Sequence, residues 1–249
     1  MNLSFAERLR RGELLLGTIV TLQSTDVSEL LSMAGYDWLF IDTEHAPLTL
    51  RDAQTLIQAA RVPCLIRVAD DGEGTIKRAL DTGATGIVVP QVTTAGQAEQ
   101  IVRHAKYPPM GTRGVGIVRA QGYGHGIREY LYEANEETVV VVQVEHKIGV
   151  ENIDAICAVP GIDAVFVGPY DLSASLDLTG MVTNPGVVAA IERITEGCRE
   201  SNRQLGIYVG SAELARAYIA KGYTLVAVGM DTIMLGTAAR DTLGAVRGT

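Results

Sequence analysis

Eight short runs rich in β-branched residues alternate with amphipathic segments along this chain, and that alternation limits the fold more than any other feature of the sequence. The runs are Leu14–Leu22, Trp38–Asp42, Pro63–Val68, Gly86–Val89, Thr138–Glu145, Ala164–Val167, Leu205–Val209 and Thr224–Val228. Helix patterns fill the gaps: Asp26 to Ala34 with Gly35 as its stop, Thr49–Ala60, Gly74–Thr82, Ala95–Lys106, Ile127–Ala134, Val150–Ala158, Pro185–Ser201, Ala212–Ala220 and a last one from Asp231. Eight such units in 249 residues predict an α/β chain folded as a (β/α)8 TIM barrel, with a doubly wound sheet as the alternative. With 47% hydrophobic residues the chain can fill one large core, so 1–249 is expected to form a single barrel domain.

In a barrel, chemistry gathers where the strands end at their C-terminal mouths. Here those ends are polar. Asp42 closes the second run and His45 follows three residues later, before Pro47 stops the segment. A carboxylate so close to a histidine can fix the imidazole tautomer and make it a general base, or it can merely cap the next helix. Arg67 lies at the end of the third run, Gln143 and Glu145 at the end of the fifth, and Asp171 just beyond the sixth. Glu145 and Asp171 are the candidate metal ligands, because carboxylates on adjacent strands repel unless they share a cation or a proton. Two carboxylates with water suit Mg²⁺ or Mn²⁺, while Co²⁺ or Zn²⁺ stays open because His45 or His146 can join them. The alternative pairs Glu145 with Lys147 and lets Asp171 cap its own turn. Gly168 and Tyr170 frame Asp171 in Gly168-Pro169-Tyr170-Asp171, where exposed backbone N–H groups at a helix start can hold a substrate carboxylate.

Other classes are disfavoured. The net charge of −8, with no block of Lys or Arg, argues against nucleic acid or an anionic membrane as partner. The first fifteen residues lack a signal-peptide core and no run of about 18 apolar residues follows, so a cytoplasmic protein is expected. Cys64, Cys157 and Cys198 have no metal-binding spacing and read as reduced core thiols. None of the four lysines, at 77, 106, 147 and 221, lies inside a run at the rim, which leaves no natural imine-forming residue. The long segment from Tyr107 to Tyr123 is the one irregular insertion.

The segments Ile41-Asp42-Thr43-Glu44-His45-Ala46-Pro47, Arg67, Gln143-Val144-Glu145 and Gly168 to Leu176, in this order and spacing, resemble the signature of the HpcH/HpaI aldolases. Tyr107-Pro108-Pro109 and Gly111 to Gly116 add to the resemblance, which runs from about Gly17 to Met234. It implies a class II aldolase that reversibly cleaves 4-hydroxy-2-oxoacids to pyruvate and an aldehyde through a metal-stabilised enolate. Carried over by position, Glu145 and Asp171 would be the metal ligands, Arg67 the contact to the ketone or enolate oxygen, and His45 with Asp42 the base dyad. Asp81 would belong to the neighbouring subunit's site, and the assembly would be a homo-oligomer, a hexamer built as a trimer of dimers that exchange the last helix. Gln143, Gly168 and Tyr170 would contact substrate. The alternatives are a citramalyl- or malyl-CoA-type lyase and a binding protein for a metal and a keto acid without turnover.

Overall fold

The structure, a computed structural model, describes residues 3–248. Its strands are β1 (Leu15–Val20), β2 (Trp38–Asp42), β3 (Cys64–Arg67), β4 (Gly86–Val89), β5 (Val139–Val144), β6 (Ala164–Val167), β7 (Gln204–Val209) and β8 (Leu225–Met230). All neighbours pair in parallel and β1 closes on β8, so the sheet is the predicted barrel and not the doubly wound alternative. The helices in chain order are α1 (Phe5–Arg10), α2 (Thr25–Met33), α3 (Leu50–Ala59), α4 (Glu73–Asp81), α5 (Ala95–Ala105), α6 (Ile127–Glu137), α7 (Lys147–Glu151), α8 (Ile153–Cys157), α9 (Pro169–Ser175), α10 (Pro185–Glu200), α11 (Ala212–Ala220) and α12 (Asp231–Arg247).

Strand alternation sorts the side chains. Leu39, Ile41, Ile66, Val140 and Val142 face the helices in the larger core, while Trp38, Phe40, Leu65, Val141 and Phe166 fill the barrel interior. Large and small residues are matched across strands. Gly17 is the register partner of Trp38, and a Cβ on it would lie 2.4 Å from the indole. Gly206 stands in the same relation to Phe166, again at 2.4 Å. The aromatic rings thus occupy space that a side chain on the adjacent strand would need. The same alternation turns Asp42, Arg67, Gln143 and Glu145 inward, above this packed floor.

The structure corrects several local readings. The helix expected from Asp26 starts at Thr25, capped by Ser24, whose hydroxyl accepts the Val27 N–H. The predicted helix from Val150 to Ala158 is two short helices that meet at Asn152. The segment after β6 forms α9, and α1, too short to show periodicity, places Phe5, Ala6 and Leu9 under the barrel against Trp38. β8 runs on to Met230. All three cysteines are buried and free, as their spacing predicts. No helix among the described residues is long and apolar enough to cross a membrane.

Candidate active site

The C-terminal ends of β2 and β3 create the first part of the site. Asp42 and Arg67 are register partners, and the carboxylate accepts the Arg67 Nε–H at 3.0 Å and Nη2–H at 2.7 Å. The same carboxylate accepts the backbone N–H groups of Glu44 at 3.1 Å and His45 at 3.2 Å, which folds the chain into a turn. Burial pushes the Asp42 carboxyl up, but the hydrogen bonds and charge of Arg67, with the two N–H groups, hold it below the usual range. Arg67 rests over the Phe40 ring at 5.3 Å. Its guanidinium is fixed on three sides: by Asp42, by the ring, and by Glu44 Oε2 at 3.2 Å from Nε.

This geometry corrects the expected Asp42–His45 dyad. The Asp42 oxygens are taken by Arg67 and by main-chain N–H groups, so Asp42 holds the His45 backbone and not its ring. The imidazole, 60% exposed, has Glu44 beside it instead, with Nε2 3.6 Å from Oε2. The physical reason is the parallel register, which sets Arg67 directly across from Asp42 and lets its two-pronged donor outcompete an exposed imidazole.

β5 supplies the second part. Glu145 is buried; its Oε1 accepts the backbone N–H of Gln91 at 2.9 Å and its Oε2 accepts Gln143 Nε2. Gln91 adopts a left-handed backbone conformation, φ 56°, to aim that N–H, a strain with an evident local use. Burial, with the nearby charges of Asp171 and Glu44 adding to it, pushes the Glu145 carboxyl up to about 7. The room for this carboxylate comes from Gly168, where a Cβ would fall 2.2 Å from Oε2. Asp171, half-buried in the first turn of α9, lines the same cavity, and Tyr170 stands exposed beside it on the rim. Neither alternative role is taken: among the described residues Glu145 makes no ion pair with Lys147, and the α9 cap is Gly168 without a side-chain bond. His146 points out of the barrel, its Nδ1 accepting the Ile148 N–H to cap α7.

The parts enclose one cavity of about 240 Å³, bordered by Phe40, His45, Arg67, Gln143, Asp171 and Tyr208. Four carboxylates, of Asp42, Glu44, Glu145 and Asp171, gather around the single guanidinium of Arg67. The excess negative charge, the pushed-up Glu145 and the buried Gln143 Oε1 without a hydrogen-bond partner all fit a hard divalent cation. The ligand set is sparse, since no group of three or more His, Cys, Asp and Glu suited to a metal occurs among the described residues. That suits an ion keeping several waters better than a fully caged one.

Asp81 is not part of this cavity. It ends α4, which descends from the rim, and so lies near the start of β4 at the opposite end of the barrel. There its Oδ1 accepts Arg113 Nη2 at 2.8 Å, and the buried Arg113 stacks on Tyr107 at 4.7 Å. The insertion from Tyr107 to Tyr123 is thereby tied to the barrel, with Gln121 bonded to Tyr107 Oη. Lys106, the one lysine among the described residues that is buried, donates to the carbonyls of Asn135 and Thr138 and has its pKa lowered by burial. It borders a cavity with Arg10 and Asp163, residues from outside the rim, and offers no imine chemistry to the site.

Reasoning from sequence missed Glu44 and Gln91. Glu44 lies between Asp42 and His45 in sequence, but alternation assigns no direction to a turn residue; Gln91 acts through its backbone, which leaves no mark in composition.

The profile of the family described as HpcH/HpaI aldolase/citrate lyase matches residues 16–238. The chain belongs to this family. It is 42% identical over 249 aligned positions to a hydroxypyruvate/pyruvate aldolase of Pseudomonas aeruginosa, covering 98% of this chain and 92% of that one. A 2-keto-3-deoxy-L-rhamnonate aldolase of Salmonella gallinarum is 41% identical over 243 positions, 95% of this chain and 90% of its own. Among solved structures, a HpcH/HpaI aldolase/citrate lyase family protein of Burkholderia cenocepacia superposes with a TM-score of 0.92 at 38% identity, covering 97% of this chain and 98% of that one. The HpcH/HpaI member described here is an aldolase-type carbon–carbon lyase.

Proposed function

We propose that the chain, one barrel domain over 1–249, cleaves 4-hydroxy-2-oxoacids reversibly to pyruvate and an aldehyde, with Glu145 and Asp171 holding Mg²⁺ or Mn²⁺. The carrying observation is that Arg67, His45, Gln143 and Asp171 border one small cavity, with the buried Glu145 directly behind its Gln143 and Gly168 lining. The name of the hydroxypyruvate/pyruvate aldolase supports the pyruvate half of the reading, and that of the 2-keto-3-deoxy-L-rhamnonate aldolase the 2-oxoacid substrate class.

Cleavage next to a ketone leaves an enolate, whose oxygen needs fixed positive charge in a site shielded from water. Arg67 supplies it without reorganising, because Asp42 and Glu44 already hold the guanidinium in place. A divalent ion, when bound, would act as a Lewis acid on the keto acid and offset the excess of carboxylates. Gln143 Oε1, the orphan acceptor, faces the same region and is available to the ion or its water. His45, on the open side, takes the proton from the C4 hydroxyl, directly or through water, and returns it in the aldol direction. Tyr170 and Tyr208 flank the mouth and shape the aldehyde half.

A homo-oligomer is part of the proposal. Among the described residues of α12, only Asp231 is buried, and an apolar recess of about 350 Å³ lies between α2 and α11, bordered by Ala34, Tyr36, Ala215 and Ile219. A last helix that leaves its own barrel suits exchange between subunits, and Asp81, too far from its own rim, suits a neighbour's site. A trimer of dimers in the cytoplasm follows the family pattern.

The test is steady-state pyruvate release from a panel of 4-hydroxy-2-oxoacids. Turnover of at least one, with pyruvate and aldehyde in equal amounts, is expected; release of neither product from any of them would overturn the reading.

A further inference from the structure

We infer that Gln97 is a positioning residue for Glu145: its side-chain amide clamps the turn after β4 and keeps Gln91 in the left-handed conformation that presents its N–H to the carboxylate. The inference rests on the reading of Glu145 as a metal ligand and adds the groups that preset it.

Glu145 Oε1 is held from the neighbouring strand end by the Gln91 N–H at 2.9 Å, which leaves Oε2 on the side of Gly168 and Gln143. That N–H is aimed by φ 56° at Gln91, a conformation that a residue with a Cβ keeps only where its surroundings over-determine it. Gln97, in the first turn of α5, supplies such a restraint by reaching back across the turn. Its Oε1 accepts the Thr93 N–H at 2.9 Å, and its Nε2 donates to the Gln91 carbonyl at 3.4 Å. The same Nε2 donates to Asp71 Oδ2 at 2.9 Å, in the loop after β3. One planar amide thus grips the turn at both ends and ties it to the next loop of the rim. Groups that orient a metal-binding carboxylate set how well it holds the ion.

The plainer role for Gln97 is to start α5. Thr94 is the N-cap, its hydroxyl accepting the Gln97 N–H at 3.2 Å, and a glutamine three residues after such a cap ordinarily returns to the N-cap's own N–H. Here the side chain passes over Thr94 and takes Thr93 and Gln91 instead. The turn has two further anchors: the Val92 N–H donates to the Gln143 carbonyl at 3.0 Å, and Asn152 Nδ2 to the Thr93 carbonyl at 2.9 Å. Those bonds tie it to β5 and α7. Among the described residues, Gln97 is the side chain that ties it to the loop after β3, so without Gln97 the turn is held from one flank and Gln91 is freer to leave the left-handed region.

The test is Mn²⁺ affinity of the metal-free protein, by calorimetry, beside deuterium uptake of the peptide that carries Gln91, by mass spectrometry. Gln97→Ala is expected to weaken Mn²⁺ binding about tenfold, the low end of what losing an outer partner of a metal ligand costs, and to speed exchange at the turn. Adding Gln91→Gly to Gln97→Ala should recover part of the affinity, because glycine enters the left-handed region without a clamp. Thr94→Ala, which removes the cap and leaves the clamp, should lower the unfolding temperature and keep the parent affinity. Parent affinity in Gln97→Ala, an equal loss in Thr94→Ala, or no recovery in the double variant overturns the inference. If the parent binds no Mn²⁺, or Glu145→Ala binds it as tightly as the parent, the metal reading falls, while deuterium uptake at the turn still decides whether Gln97 holds Gln91.

Discussion

Asp42 and Arg67 face each other across β2 and β3 as register partners, and both guanidinium prongs of Arg67 that meet Asp42 end on its carboxylate. A pair so enclosed stabilises only as a pair. Replacing Arg67 by Ala strands the buried Asp42 carboxylate and removes the charge beside half-buried Glu44, and a loss of about 3–5 kcal/mol is expected from denaturant unfolding. Arg67→Lys keeps the charge but not the fork; its kcat is expected to fall by more than its KM rises, since the fixed charge matters most as the enolate forms.

His45→Ala removes a group that touches neither Glu145 nor the fold's core. Metal and pyruvate binding by calorimetry are expected to persist, while aldol cleavage falls by roughly 10²–10⁴-fold. Loss of metal binding in this variant would make His45 a ligand.

Gly168→Ala tests the shape of the carboxylate pocket. The added Cβ would sit 2.2 Å from Glu145 Oε2, so the carboxylate must turn away. Weaker cation binding is expected by calorimetry, because the new methyl would also lie 3.0 Å from Gln143 Nε2 and from Glu145 Cβ and so displaces both polar side chains.

Glu145 also sets a pH dependence. Its carboxyl is raised from 4.5 to about 7, so the fold favours the protonated form. That contribution to stability is complete below about 4.5 and is lost as pH rises through about 7. Chelated protein is therefore expected to melt lower at about pH 8 than at about pH 6, while cation affinity rises over the same window as the proton leaves. Glu145→Gln should flatten both trends.

The barrel was legible because its signal is repetitive: alternation along β2, β3 and β5 assigns Trp38 to the interior and Asp42, Arg67 and Glu145 to the rim without knowledge of any contact. Partners were less legible. Asp42 pairs with a residue in the next strand by register, a relation that spacing within one loop cannot express, so sequence proximity suggested the His45 ring instead. Glu44 is brought beside Arg67 by the turn that Asp42 caps, and Gln91 acts through a left-handed backbone, neither of which composition records. Asp81 could be placed only by resemblance, and the fold adds that it lies away from its own rim.

Asp81 can be separated from its structural bond to Arg113 by subunit mixing. Asp81→Asn and His45→Ala are each expected to be nearly inactive. If Asp81 serves a neighbour's site, mixed oligomers regain part of the activity; no recovery after verified mixing would confine Asp81 to holding Arg113.

The most direct measurement is pyruvate release from a good 4-hydroxy-2-oxoacid by parent, Glu145→Ala and Asp171→Ala proteins, before and after chelation and with Mg²⁺ or Mn²⁺ restored. Parent turnover should vanish on chelation and return with the ion, and both variants should stay inactive at ion concentrations that saturate the parent. Parent turnover that survives chelation, or full activity in either variant, would contradict a site built on Glu145 and Asp171.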